Sequence, residues 1–75
     1  MTRKADQAEE RRDLIGAQGK LLAFLAAVLQ RAGVIQTEDF ASLLEAFAET
    51  VAESDPGEGR LLAAWTAAVR AAQRN

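Results

Sequence analysis

A chain of 75 residues without Cys or His forms one small domain at most, and it has neither disulfides nor the usual zinc ligands to stabilise it. A net charge of −2 favours neither nucleic acid nor a membrane as partner. Ala, Leu, Glu, Arg and Gln dominate, and these are strong helix formers. We therefore expect an all-α protein that gains stability by oligomerisation, and the absence of Cys is typical of a reducing, cytoplasmic location.

The first helix is predicted to run from near Ala5 to Arg31. Its opening is almost entirely charged or polar, so we interpret residues 1–13 as a charged N-terminal arm or a helix extension and residues 14–75 as a three-helix domain. Two apolar stripes begin after that opening, one of Leu14, Leu21, Leu25 and Val28, the other of Ile15, Leu22 and Leu29.

Residues 21–29 are apolar around the whole helix, with Phe24 and three alanines filling the remaining faces. Nine residues are about half of what a membrane-spanning helix needs, which predicts a buried helix segment instead. Such a segment requires cover on several sides, more than two short helices of the same chain can give. This predicts a dimeric helical bundle.

Gly16-Ala17-Gln18-Gly19, with its flanks Leu14 to Leu22, resembles the helix–GxxG–helix motif of KH domains. The resemblance implies a loop that clamps a single-stranded nucleic-acid backbone, beside a three-stranded sheet. No segment of this chain has a strand pattern, and Ala17 and Gln18 carry no charge. The alternative interpretation is a close approach of another helix at these glycines, or a helix break.

Two shorter helices follow. Gly33 predicts a left-handed cap on the first helix, and Thr37 is the expected N-cap of the second, which runs to about Glu53. Asp55 and Pro56 predict the start of the third, which runs to about Gln73. The second helix should pack through Phe40, Leu44, Phe47 and Val51, and Trp65 is the expected anchor of the third.

Every charged residue between positions 37 and 59 is acidic. Within this block Glu45, Glu49 and Glu53 are four residues apart and share one helix face, and they line up without the convergence that a calcium site needs. The row is either solvated surface or a recognition surface for a basic partner. Catalysis is not expected, because the chain has no His, Cys or Tyr and its hydroxyls have no base beside them.

These patterns favour a non-enzymatic protein–protein interaction module, a regulator, adaptor or inhibitor, that acts as a homodimer or against a protein partner. No cofactor or metal is expected. One alternative is nucleic-acid binding through the basic residues Arg3, Lys4, Arg11, Arg12 and Lys20, and another is a non-catalytic small subunit of an enzyme complex. The predicted partner-binding residues are Leu21, Phe24, Leu25, Val28, Glu45, Glu49 and Glu53.

Overall fold

The computed structural model describes residues 2–74, with side chains from residue 6 to residue 73. Three α-helices form this part of the chain: α1 at Thr2–Arg31, α2 at Thr37–Ser54 and α3 at Pro56–Arg74. None of residues 2–74 lies in a strand. The all-α class and the long first helix are therefore confirmed.

The turn after α1 is closed by Gly33. Its φ of 77° is left-handed, its N–H donates to the Gln30 carbonyl over 3.0 Å, and the Val34 N–H donates to the Leu29 carbonyl over 2.9 Å. This pair of bonds is the Schellman motif, which satisfies the last carbonyls of a helix. The glycine cap expected from the sequence is confirmed.

The expected N-cap of α2 is wrong. Gln36 occupies the capping position without a side-chain bond, and Thr37 is already the first helical residue and is buried. The Thr37 N–H donates instead to the Gln30 side-chain oxygen over 2.7 Å, so the end of α1 caps the start of α2. This bond holds the two helices in an antiparallel hairpin across residues 32–36.

Asp55 joins α2 to α3 as expected. Its carboxylate accepts a hydrogen bond from the Glu58 N–H over 3.0 Å, and Pro56 takes the first helical position. The Asp55 N–H donates to the Val51 carbonyl, which completes the last turn of α2. One residue therefore caps both helices and makes a tight reversal of the chain.

The buried interior of the described residues is small. Its apolar members are Ala26, Ala41, Ala48 and Val69, and Val69 is the only large side chain among them. Partly buried Leu22, Ala23, Phe40 and Leu44 pack around them. α3 contacts both other helices extensively, whereas α1 and α2 contact each other little. The core thus lies along α3, and the outer sides of α1 and α2 are left open.

α1 continues without a break through Gly16 and Gly19. The loop implied by the resemblance to KH domains is therefore not formed, and neither is a strand in residues 2–74. Gly19 is instead where α3 approaches closely, because an added Cβ would lie 3.1 Å from the Trp65 ring. The Trp65 indole N–H donates to the Ile15 carbonyl over 3.0 Å. Trp65 anchors α3 to α1, and only the second glycine serves this contact.

Candidate functional site: an exposed apolar face

Large apolar side chains are exposed on α1 and α2. Seven of them, each between 44% and 64% exposed, form what we call the apolar face: Leu14, Leu21, Phe24, Leu25 and Val28 on α1, and Leu43 and Phe47 on α2. Val34 in the turn is exposed as well. The expectation that residues 21–29 are buried is wrong for most of this segment, since α1 is covered only on the side that faces α3 and α2.

The two rows of the apolar face lie on one side of the molecule. On both helices each exposed apolar residue other than Phe24 comes directly before one that packs inward: Leu14 before Ile15, Leu21 before Leu22, Leu25 before Ala26, Val28 before Leu29, Leu43 before Leu44 and Phe47 before Ala48. In each helix the exposed row is displaced by one residue from the inward-facing row. Because α1 and α2 run in opposite directions, this displacement places both exposed rows on the same side of the helix pair. Since both rows are exposed, α3 lies on the opposite side.

The exposed surface is large for a chain of this size. A compact protein of 8.1 kDa is expected to expose about 4,500 Å², whereas this chain exposes 5733 Å². The apolar face belongs to this exposed surface, and contiguous apolar patches of this kind mark interaction sites.

A cavity of about 360 Å³ adjoins the face at Phe47. Phe47 and Val51 of α2 form one wall, and Leu61, Leu62 and Trp65 of α3 form the other. Phe47 is exposed here because α1 leaves this part of α2 uncovered, so the prediction that it packs in the interior is wrong. The cavity gives the apolar face a recess lined mostly by apolar side chains.

The acidic residues lie on the other flank of α2. Arg70 of α3 donates to the Glu45 carboxylate over 3.0 Å and lies 3.4 Å from that of Glu38. The hydrogen bond to Glu45 raises the pKa of Arg70, and the charges of both carboxylates add to that shift. Glu49 and Glu53 are exposed. The structure thus separates the predicted partner-binding residues into two surfaces, and it gives Glu45 a role in joining α2 to α3.

This separation leads to a prediction for the acidic residues. Changing Glu45 to Gln should lower the melting temperature by a few degrees at low salt, because the charge-assisted bond to Arg70 is weakened. The double change of Glu49 and Glu53 to Gln should leave the melting temperature unchanged, since these carboxylates are exposed. Thermal unfolding followed by circular dichroism at low and high salt measures both. An equal loss of melting temperature in the two variants would contradict the role of Glu45 in joining α2 to α3.

The basic residues do not form one patch within the part of the chain whose side chains are described. Arg11 and Arg12 are consecutive and point in different directions from α1, with Glu9, Glu10 and Asp13 around them. Arg3 and Lys4 lie outside the residues whose side chains are described. No three acidic residues come together as a metal site among residues 6–73. The arrangement therefore lends no support to a phosphate-binding surface.

One helix segment, Asp6–Arg31, is long and apolar enough to cross a membrane by length and composition. The apolar run of residues 21–29 covers only part of this segment. One side of α1 packs on α3, the exposed Lys20 lies in its middle, and only 11% of its apolar 18-residue window is buried. The segment defines a strongly apolar helix with one uncovered side.

Comparison with models of protein families, with curated proteins and with solved structures gives no significant match. Leu14, Leu43 and Phe47 belong to the face and were absent from the predicted partner-binding set. The sequence does indicate these residues, because each is a second apolar residue directly beside one that packs inward. A helix that buries a single apolar stripe does not need this second residue.

Proposed function

We propose that this chain is a small, non-catalytic protein–protein interaction module whose apolar face binds another protein. The observation that carries the proposal is the exposure of seven large apolar side chains on one side of a fold whose own buried core is mostly alanine. Leaving this surface in water is unfavourable by about 25 cal/mol for each Å² of apolar area. Binding removes that cost, which favours a regulator, adaptor or inhibitor that acts when assembled.

The composition of the face supports a protein as its partner. Aromatic and aliphatic side chains make up the face, Phe24 and Phe47 among them, and charged residues such as Glu10 and Arg31 lie at its ends. An apolar centre with a polar rim is the usual arrangement of a protein–protein interface. The recess beside Phe47 adds the kind of pocket in which anchor residues of interfaces are found.

Affinity capture from the native cell tests this function. The chain is immobilised beside a variant in which Leu21 and Leu25 are both changed to Gln, and beside a control in which the exposed α3 residues Ala64 and Ala71 are both changed to Gln. We expect the native chain and the control to retain the same proteins and the Leu21/Leu25 variant to lose them. All three should keep their helical circular dichroism, since every altered side chain is exposed.

Retention of the same proteins by all three chains would contradict the proposal, because binding would then not use the apolar face. A larger catalytic chain among the proteins lost by the Leu21/Leu25 variant would assign the module as a small subunit of an enzyme.

A further inference from the structure

We propose that the occupant of the apolar face is a second copy of this chain, with the two α1 helices antiparallel and Leu21 at the two-fold axis. This inference depends on the proposed function, because it names the protein that docks on the same face. Three observations carry it: the length of the apolar row on α1, the charges at its two ends, and the area that the face leaves open.

The two ends of the row on α1 are equidistant from Leu21. The row begins at Leu14 and ends at Val28, and Leu21 lies seven residues from each. Before Leu14 the same side of α1 carries the polar residues Gln7 and Glu10, so the apolar row begins at Leu14. Complete overlap of two apolar rows therefore requires Leu14 of one copy to face Val28 of the other. That register places Leu21 against Leu21 at the axis.

The charges at the ends of the row select the antiparallel direction. Glu10 lies four residues before Leu14 and Arg31 lies three residues after Val28, and both are exposed. In the antiparallel pair each Glu10 lies beside Arg31 of the partner, so the two-fold axis generates two opposite-charge contacts. A parallel pair would place Glu10 beside Glu10 and Arg31 beside Arg31, and like charges across an interface are unfavourable.

The area of the face suits a dimer. About half of each of its seven side chains is exposed, which leaves on the order of 600–700 Å² open in each chain. Two copies together would bury about 1,200–1,400 Å², within the range of specific interfaces. Because a two-fold interface uses the same patch on both partners, one continuous self-complementary face is sufficient. Leu43 and Phe47 of α2 flank the α1 row and widen the contact.

Single cysteines test the register directly, because the chain has none of its own. The variants Leu14→Cys and Val28→Cys are mixed and oxidised, and mass spectrometry identifies the disulfide-linked pairs. We expect the mixed pair, which joins position 14 of one copy to position 28 of the other, to dominate over either symmetric pair. Ala27→Cys, exposed on a different side of α1, is the matched control and should cross-link weakly. Predominant symmetric pairs would overturn the antiparallel arrangement.

Charge reversal gives an independent measurement of the same geometry. Light scattering of the native chain at micromolar concentration should give twice 8.1 kDa. Glu10→Arg and Arg31→Glu should each weaken the dimer roughly tenfold, and the double variant should recover it. A parallel dimer predicts no weakening in either single variant, and that result would overturn the inference.

The outcomes separate this inference from the proposed function. A folded monomer whose Leu21 and Leu25 are needed to capture a different protein overturns the second copy and leaves the interaction module standing. A folded monomer that binds only lipid vesicles overturns both. A dimer that persists unchanged when Leu21 and Leu25 are replaced by Gln overturns the second copy on this face, since its interface would lie elsewhere, whereas the proposed function is overturned only if this variant also captures the same proteins as the native chain.

Discussion

Gly59→Ala should lower the melting temperature by about 10 °C, corresponding to a loss of about 2 kcal/mol in the free energy of unfolding. Gly59 is buried where α3 crosses α2, and an added Cβ would overlap the Cβ and backbone atoms of Ala52. A backbone cannot move aside as the end of a flexible side chain can. The two helices must therefore separate, although Ala is the better helix former by about 1 kcal/mol.

Gly16→Ala is the matched control for this prediction. It is the same substitution within a helix, but no atom lies within 4 Å of the added Cβ. Only the helix propensity then changes, so stability should rise by about 0.5–1 kcal/mol. Thermal unfolding at one chain concentration compares the two variants. A rise in both would show that α2 and α3 do not approach as closely as the structure has them.

Trp65→Ala should have a comparable or larger effect, with a loss of about 2–3 kcal/mol and a melting temperature lower by about 15 °C. The substitution removes the ring that covers Gly19 and the hydrogen bond from its indole N–H to the Ile15 carbonyl. These contacts attach the middle of α1 to α3. Because Trp65 is only half-buried, we expect the loss to lie at or below the lower end of the range for a tryptophan truncated in a core.

Trp65→Phe separates the two contributions. It keeps an aromatic ring near Gly19 and lacks the indole N–H, so its loss should be about 1 kcal/mol, close to the net value of one hydrogen bond. Far-UV circular dichroism follows unfolding in both variants, because tryptophan fluorescence is no longer present. Equal losses in the free energy of unfolding for Trp65→Phe and Trp65→Ala would contradict the conclusion that the aromatic ring makes most of this contact.

Local signals in the sequence predicted the elements of this fold well. Gly33 ended α1 as expected because only a residue tolerant of positive φ suits that cap. Asp55 and Pro56 predicted the start of α3 because capping depends on neighbours within three residues. The cap of α2 escaped prediction because Gln30, seven residues before Thr37, supplies it across the turn.

The positions of the helices relative to one another could not be read from periodicity. A stripe of apolar residues shows which face of a helix avoids water, and it does not show which other helix covers that face. Phe47 was therefore assigned to the interior, although α1 does not reach it. Gly19 was interpreted as part of a loop motif from its neighbours in the sequence. Its actual contact is with Trp65, which lies far along the chain and is not indicated by those neighbours.

The surplus of apolar surface on α1 could be predicted, because residues 21–29 exceed what two short helices can cover. Its extension onto α2 could not, since it depends on the handedness with which the hairpin packs on α3. The acidic row showed the same limit. The spacing of Glu45, Glu49 and Glu53 predicted their shared face, but the pairing of Glu45 with Arg70 required the structure.

Photo-cross-linking in the native cell tests most directly whether the apolar face binds a protein. A benzophenone amino acid replaces Phe24 in the apolar face, or Ala71 at an exposed position of α3 as control. Irradiation should give a covalent protein adduct from position 24, of about twice the chain mass if the partner is a second copy, and little or none from position 71. Uncross-linked chain alone at position 24, or equal adducts from both positions, would contradict the assignment of this face as a docking surface.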